Sequence, residues 1–158
     1  MRRRQVLHLV KAVLIANVIS PVLLAGIPSK KAAYRGGTLA RPKPSTTGTV
    51  VTTAEDHFIF RHAKGELRVP YERINSIEYG QKAGRRLGLA IALTPAFLLS
   101  KKRRHYLTLN YLAENDEQQA AVFELGKRIV RTTLAALEAR TGLEVVYEDE
   151  EARKASQR

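Results

Sequence analysis

The chain has 158 residues, enough for one domain with one core, and 44% of them are apolar, which excludes a compositionally disordered protein. It contains no cysteine, so disulfide stapling, thiol catalysis and thiolate metal sites are excluded and any core must hold by packing alone. The formal charge of +12 favours acidic partners: anionic lipid, a polyanionic wall polymer, an acidic protein or nucleic acid.

Arg2, Arg3 and Arg4 precede a mostly apolar run from Val6 to Ile27. This is the layout of a secretory signal, in which the arginines stay on the inner face while the apolar run enters the membrane. Residues 1–25 are therefore expected to be a signal peptide cut after Ala25, and the chain to be exported to the periplasm, the cell surface or the medium. Two alternatives stand beside this, an uncleaved N-terminal anchor and a cytoplasmic apolar helix. The cleanest stretch, Ala12 to Ile27, is short against the roughly 20 apolar residues of a spanning helix. Pro21 would kink it, and Lys30, Lys31 and Arg35 just beyond it weaken the charge bias. Removing the leader takes away four positive charges, Arg2, Arg3, Arg4 and Lys11, and leaves +8 of the +12.

Residues 26–47 read as a linker and a first strand. Ala33 to Leu39 suits a short strand with a flexible Gly36-Gly37 pair, and Arg41-Pro42-Lys43-Pro44-Ser45 is a loop, since two such close prolines continue neither a ladder nor a helix. A domain is expected over 48–142. Thr49-Val50-Val51-Thr52-Thr53 is β-branched throughout, which suits a pleated strand. His57 to His62 alternates, with Phe58 and Phe60 on one face, and Ala63-Lys64-Gly65-Glu66 is a hairpin turn. Leu67, Val69 and Tyr71 alternate again, but Pro70 limits pairing and sends this strand to an edge or a bend. Ile74, Ile77 and Tyr79 follow after a break at Glu72-Arg73.

Residues 87–100 form a second apolar run, too short to span a bilayer as a helix. Tyr106 to Leu112 and Ala120 to Leu125 flank the polar turn Glu114-Asn115-Asp116-Glu117 as a hairpin. The period then becomes helical, with Ile129, Val130, Thr133, Leu134 and Leu137 in one stripe and Gly142 at the C-terminal stop. Residues 143–158, with four consecutive acids from Glu148, are expected to be a disordered, solvated tail. The fold class is thus mainly β with a C-terminal helix: a small curved antiparallel barrel of about seven strands, capped by one amphipathic helix.

The segment from Leu67 to Tyr79 resembles the central strand signature of bacterial pleckstrin-homology-like domains: an apolar alternation, then Pro70-Tyr71, then Ile74 and Ile77 spaced by three. The order of strands, terminal hairpin and closing helix is similar over roughly Ala33 to Gly142. The resemblance implies a superfold whose members bind lipids, peptides or proteins, or only scaffold. The chain departs from eukaryotic relatives in lacking a Trp in the closing helix. Arg41 and Lys43 are the nearest equivalent of the basic set that phosphoinositide binders place in the first interstrand loop, and phosphoinositide binding is not carried over.

No catalytic constellation is legible. His57 and His62, five apart on a strand, point to opposite faces and cannot share a metal ion. The carboxylates cluster in turns and in the tail, and there is no phosphate-cradling glycine loop, nucleophile elbow or Ser-x-x-Lys. The expectation is a non-enzymatic binding or scaffold domain with no cofactor and no metal. Its candidate contact is the segment 82–104, where Lys82, Arg85, Arg86, Lys101, Lys102, Arg103 and Arg104 bracket the apolar run. On the functional reading these cations meet an anionic surface, lipid or an acidic protein or polymer, while Leu89, Ile91, Phe97, Leu98 and Leu99 sit at the acyl boundary. On the structural reading the same apolar residues are core. A nucleic-acid or other polyanion binder is the alternative function, disfavoured by the scarcity of aromatic stacking residues near the basic cluster.

Overall fold

The structure, a computed structural model, describes residues 30–82, 92–93 and 103–158. The leader 1–25, the cations Arg85, Arg86, Lys101 and Lys102, and the apolar side chains Leu89, Ile91, Phe97, Leu98 and Leu99 lie outside the described residues.

Nine strands are described: β1 (Ala32–Gly37), β2 (Thr46–Val51), β3 (His57–His62), β4 (Gly65–Pro70), β5 (Ile74–Gly80), β6 (Ala92–Leu93), β7 (His105–Leu112), β8 (Gln118–Leu125) and β9 (Val145–Tyr147). The helices are α1 (Val130–Thr141) and α2 (Glu150–Ser156). The strands form one sheet in the order β4-β3-β2-β1-β8-β7-β5-β9, with β6 pairing β1 off that path. Every pairing is antiparallel except β5 with β9. The molecule is mainly β with helices near its C-terminus, as the alternation and the late helical stripe foretold.

Tight turns set the meander. Gly65, at φ 140°, permits the β3–β4 turn at His62↔Gly65. Asp116, at φ 60°, closes the β7–β8 turn, its N–H donating to the Ala113 carbonyl at 3.0 Å. Glycine is required where backbones crowd: a Cβ on Gly37 would lie 2.1 Å from the Ala120 oxygen, and one on Gly48 would lie 2.3 Å from the Arg61 oxygen.

One ring organises the core. Phe123 on β8 packs on Tyr34 of β1 (5.8 Å between centroids) and on Phe58 and Phe60 of β3 (5.3 and 5.2 Å). In a flat sheet β3 and β8 would be three strand spacings apart, on the order of 14 Å. Ring contact across that interval requires the sheet to curl over its own face. Val69 of β4 and Ile77 of β5, from opposite wings, accordingly join the same buried cluster.

Helix α1 lies on this cluster. Val130, Thr133, Leu134 and Leu137 are its buried side chains, a period near 3.6. It ends at Gly142, whose left-handed backbone (φ 71°) lets its N–H donate to the Glu138 carbonyl at 2.9 Å. Arg140 near that end donates to the Glu55 carbonyl and stands 6.0 Å over the Tyr71 ring, tying α1 to the β4–β5 connection.

Two expectations are corrected. The barrel does not close: the path begins at β4 and ends at β9. β4 terminates at Pro70, which has no N–H to offer, and a 3₁₀ turn at Tyr71–Arg73 carries the chain away before β5 begins. The outer edge of β5, where closure would fall, is taken by β9. That strand and α2 are also the second correction, because residues 143–158 are folded. Val145 is buried against β5, Ala152 is fully buried, and the Asp149 carboxylate caps α2 by accepting from the Ala152 N–H at 2.7 Å. The folded unit thus reaches from the central strand β1 through α2, wider than 48–142.

Phe123→Ala should cost about 3–5 kcal/mol, read as a lower urea midpoint, because it empties the contact between three strands.

Candidate anion-binding surfaces

The basic segment enters the described structure at its two stems. Lys82 follows β5, Arg103 and Arg104 precede β7, and the Arg104 N–H donates to the Gln81 carbonyl at 3.2 Å, which holds the stems together. Between them Ala92 and Leu93 return to the sheet, pairing with Gly37 and Gly36. Part of the apolar run is therefore sheet.

Arg104 is not a surface cation. Its guanidinium meets both oxygens of Glu124, at 3.0 and 2.9 Å, and Arg35 reaches the same carboxylate through Nε at 2.8 Å. Strand alternation explains the placement: β8 turns Phe123 into the core and Glu124 to the opposite face, between β1 and β7. Glu124 is only 2% exposed, so its charge is kept in place by the two arginines. The expected surface role of Arg104 is replaced by this clamp. Arg103 and Lys82 are exposed but engaged, Arg103 with Glu151 at 2.8 Å and Lys82 with Asp149 at 4.0 Å.

Beside the stems, the Tyr79 hydroxyl and His105 Nδ1 share a hydrogen bond of 2.5 Å. Burial pushes the Tyr79 phenol well above its ordinary range. Burial, and then the Lys127 charge, push the His105 imidazole below its ordinary 6.5, against the opposing pull of Glu124. The phenol is then the donor and the neutral ring the acceptor.

A second cationic surface is assembled from two places in the sequence. The β1–β2 loop brings Arg41 and Lys43, and the β3–β4 turn brings His62 and Lys64, to the walls of a cleft of about 710 Å³. The loop is anchored by the Ser45 N–H on the Tyr34 carbonyl (2.7 Å) and by the Thr46 hydroxyl on the Lys43 carbonyl (2.6 Å). Arg41, Lys43 and Lys64 are exposed. The cleft's carboxylate, Glu66, is engaged by Arg68 at 3.0 Å and Arg61 at 3.5 Å, which hold it below the usual carboxylate range. What remains is an arrangement that attracts anions and offers N–H donors to them. Arg41 and Lys43 were visible as loop cations; Lys64 and His62 are their neighbours only through the pairing of β2 with β3.

A smaller cleft of about 570 Å³ carries the opposite charge, with Glu55, Asp56 and Glu72 around His57 and Arg140. His57 Nδ1 lies 2.8 Å from the Asp56 carboxylate and holds that carboxyl low. Among the described residues, no three His, Asp or Glu are grouped to hold a metal ion. No protein-family model and no curated protein sequence matches the chain.

Two outcomes follow from the geometry. Glu124→Ala should cost about 3 kcal/mol, since it strands two largely buried guanidiniums, whereas Arg61→Ala at its exposed pair should leave the urea midpoint close to that of wild type. Because the folded state holds His105 neutral, the unfolded chain binds more protons below 6.5, so stability is full above that pH and falls as pH drops through it. Urea midpoints of His105→Gln should therefore slope less than wild type between about pH 7 and pH 5.

Proposed function

We propose that this protein is a non-enzymatic binding module of pleckstrin-homology-like type, exported from the cytoplasm, that docks on an anionic membrane surface. The observation that carries the reading is the convergence of Arg41, Lys43, His62 and Lys64 on one cleft whose carboxylate is already neutralised. The strand succession β4-β3-β2-β1-β8-β7-β5, followed by α1 against the core, supports the pleckstrin-homology-like assignment. The leader layout of residues 1–25 supports export.

The mode of attachment is electrostatic. Among the described residues no helix is long and apolar enough to cross a membrane. Cations near an anionic surface each contribute about 1 kcal/mol, so Arg41, Lys43 and Lys64 of the cleft, with the exposed cations of the basic segment, together suffice for reversible docking. The described part of the segment contributes Lys82 and Arg103.

The protein as its host produces it should sediment with vesicles containing anionic phospholipid and not with neutral ones, and recovery should fall as salt rises. Arg41→Gln, Lys43→Gln and Lys64→Gln together should weaken recovery by about 1 kcal/mol per charge removed. Equal recovery with both kinds of vesicle at low salt overturns the reading.

A further inference from the structure

We infer that the acidic C-terminal segment Glu148–Glu151 is a built-in competitor of the anions that the basic segment meets: Asp149 and Glu151 hold Lys82 and Arg103 until an outside polyanion takes over those two cations. The inference rests on the proposed docking to an anionic surface and adds its regulation.

The contact has an inner and an outer layer. In the inner layer β9 pairs with β5, and the Glu148 N–H donates to the Tyr79 carbonyl at 2.8 Å. The Glu148 carboxylate accepts the N–H of Gln81 at 3.0 Å and of Lys82 at 3.1 Å. It is seated over Gly80, where a Cβ would come within 2.7 Å of Oε2. A carboxylate thus already fills the anion position at the foot of the basic segment, bound by backbone donors.

The outer layer is made of side chains alone. Asp149 faces Lys82, and Glu151 faces Arg103, one acid for each stem. All four side chains are between 41% and 62% exposed. Such pairs are weak and screened by salt, and a multivalent surface outcompetes them. The segment also has its own anchors, Ala152 at 0% and Ser156 at 5% exposure, so exchanging the outer pairs does not require β9 to leave the sheet. The layers predict a gated affinity: the strap stays, and its outer acids are traded for lipid phosphates.

The test is Asp149→Asn with Glu151→Gln in the full chain. Asn keeps the N-cap of α2, so the helix is preserved. A charge-matched control, Glu55→Gln with Glu72→Gln, removes two acids from the cleft beside Tyr71. Each protein is titrated with phosphatidylcholine vesicles containing about one-third phosphatidylglycerol, at low salt. The strap variant should bind roughly fivefold more tightly than both wild type and the control. Amide exchange at Gln81 and Lys82 should stay as slow as in wild type. A strap variant no tighter than the control overturns the inference, and wild type that still separates anionic from neutral vesicles then leaves the docking reading standing. Failure of all three proteins to bind overturns both. Tighter binding with lost protection at Gln81 and Lys82 also overturns the inference, because the gain would then come from unfolding the strap.

Discussion

The packing of Phe123 against β3 is the contact on which the architecture turns. A ring on β8 cannot touch Phe58 and Phe60 unless the two strands between them bend the sheet through a large angle. Once bent, the sheet has a concave apolar face that its strands alone do not cover. The apolar stripe of α1 fills that mouth, with Leu134 and Leu137 in the same cluster as the aromatic rings. The pairing of β2 with β3 in this sheet brings the β1–β2 loop beside the β3–β4 turn, so the cationic cleft is a by-product of how the sheet is built.

The reverse face of β8 carries the electrostatic counterpart. Glu124 binds Arg35 from β1 and Arg104 from the stem of β7, in a place where water reaches little of it. The described cations around the stems of the basic segment therefore divide into two populations. Those at the buried carboxylate are structural and hard to move, since releasing them would leave a charge without a partner. Those at Lys82 and Arg103 are held by exposed acids and are easily exchanged. Within a run of basic residues that looks uniform in the sequence, Arg103 meets an exposed carboxylate and Arg104 a buried one.

Much of the fold was legible because its long elements carry strong periods. Phe58 and Phe60 alternate, as do Leu107 and Leu109, and the stripe of Val130, Leu134 and Leu137 has no reading other than helix. Pro70 pointed to an edge or a bend, and β4 is terminal in the sheet. The elements that escaped are the short ones. Three residues of β9 and two of β6 are too few to display a period. α2 buries one small apolar side chain, Ala152, so its signals were an N-capping Asp149, acids in the first turn and bases in the last, all of which also suit a solvated tail. The same limit applied to the surfaces. Arg41 and Lys43 stood out in their loop, but the register of β2 on β3 is what brings them to Lys64. Arg104 read as one of four adjacent cations, and nothing local pointed to a glutamate inside the apolar strand of a later hairpin.

The parallel pairing of β9 with β5 has a consequence for how the chain is made. β5 is synthesised early, yet its outer edge waits for a strand that emerges after every other strand of the sheet. Through most of translation that edge presents unpaired N–H and C=O groups, the kind of template that recruits other extended chains. A chain interrupted before Val145 would keep this flank open, so β9 also covers the edge by which such a fragment would aggregate.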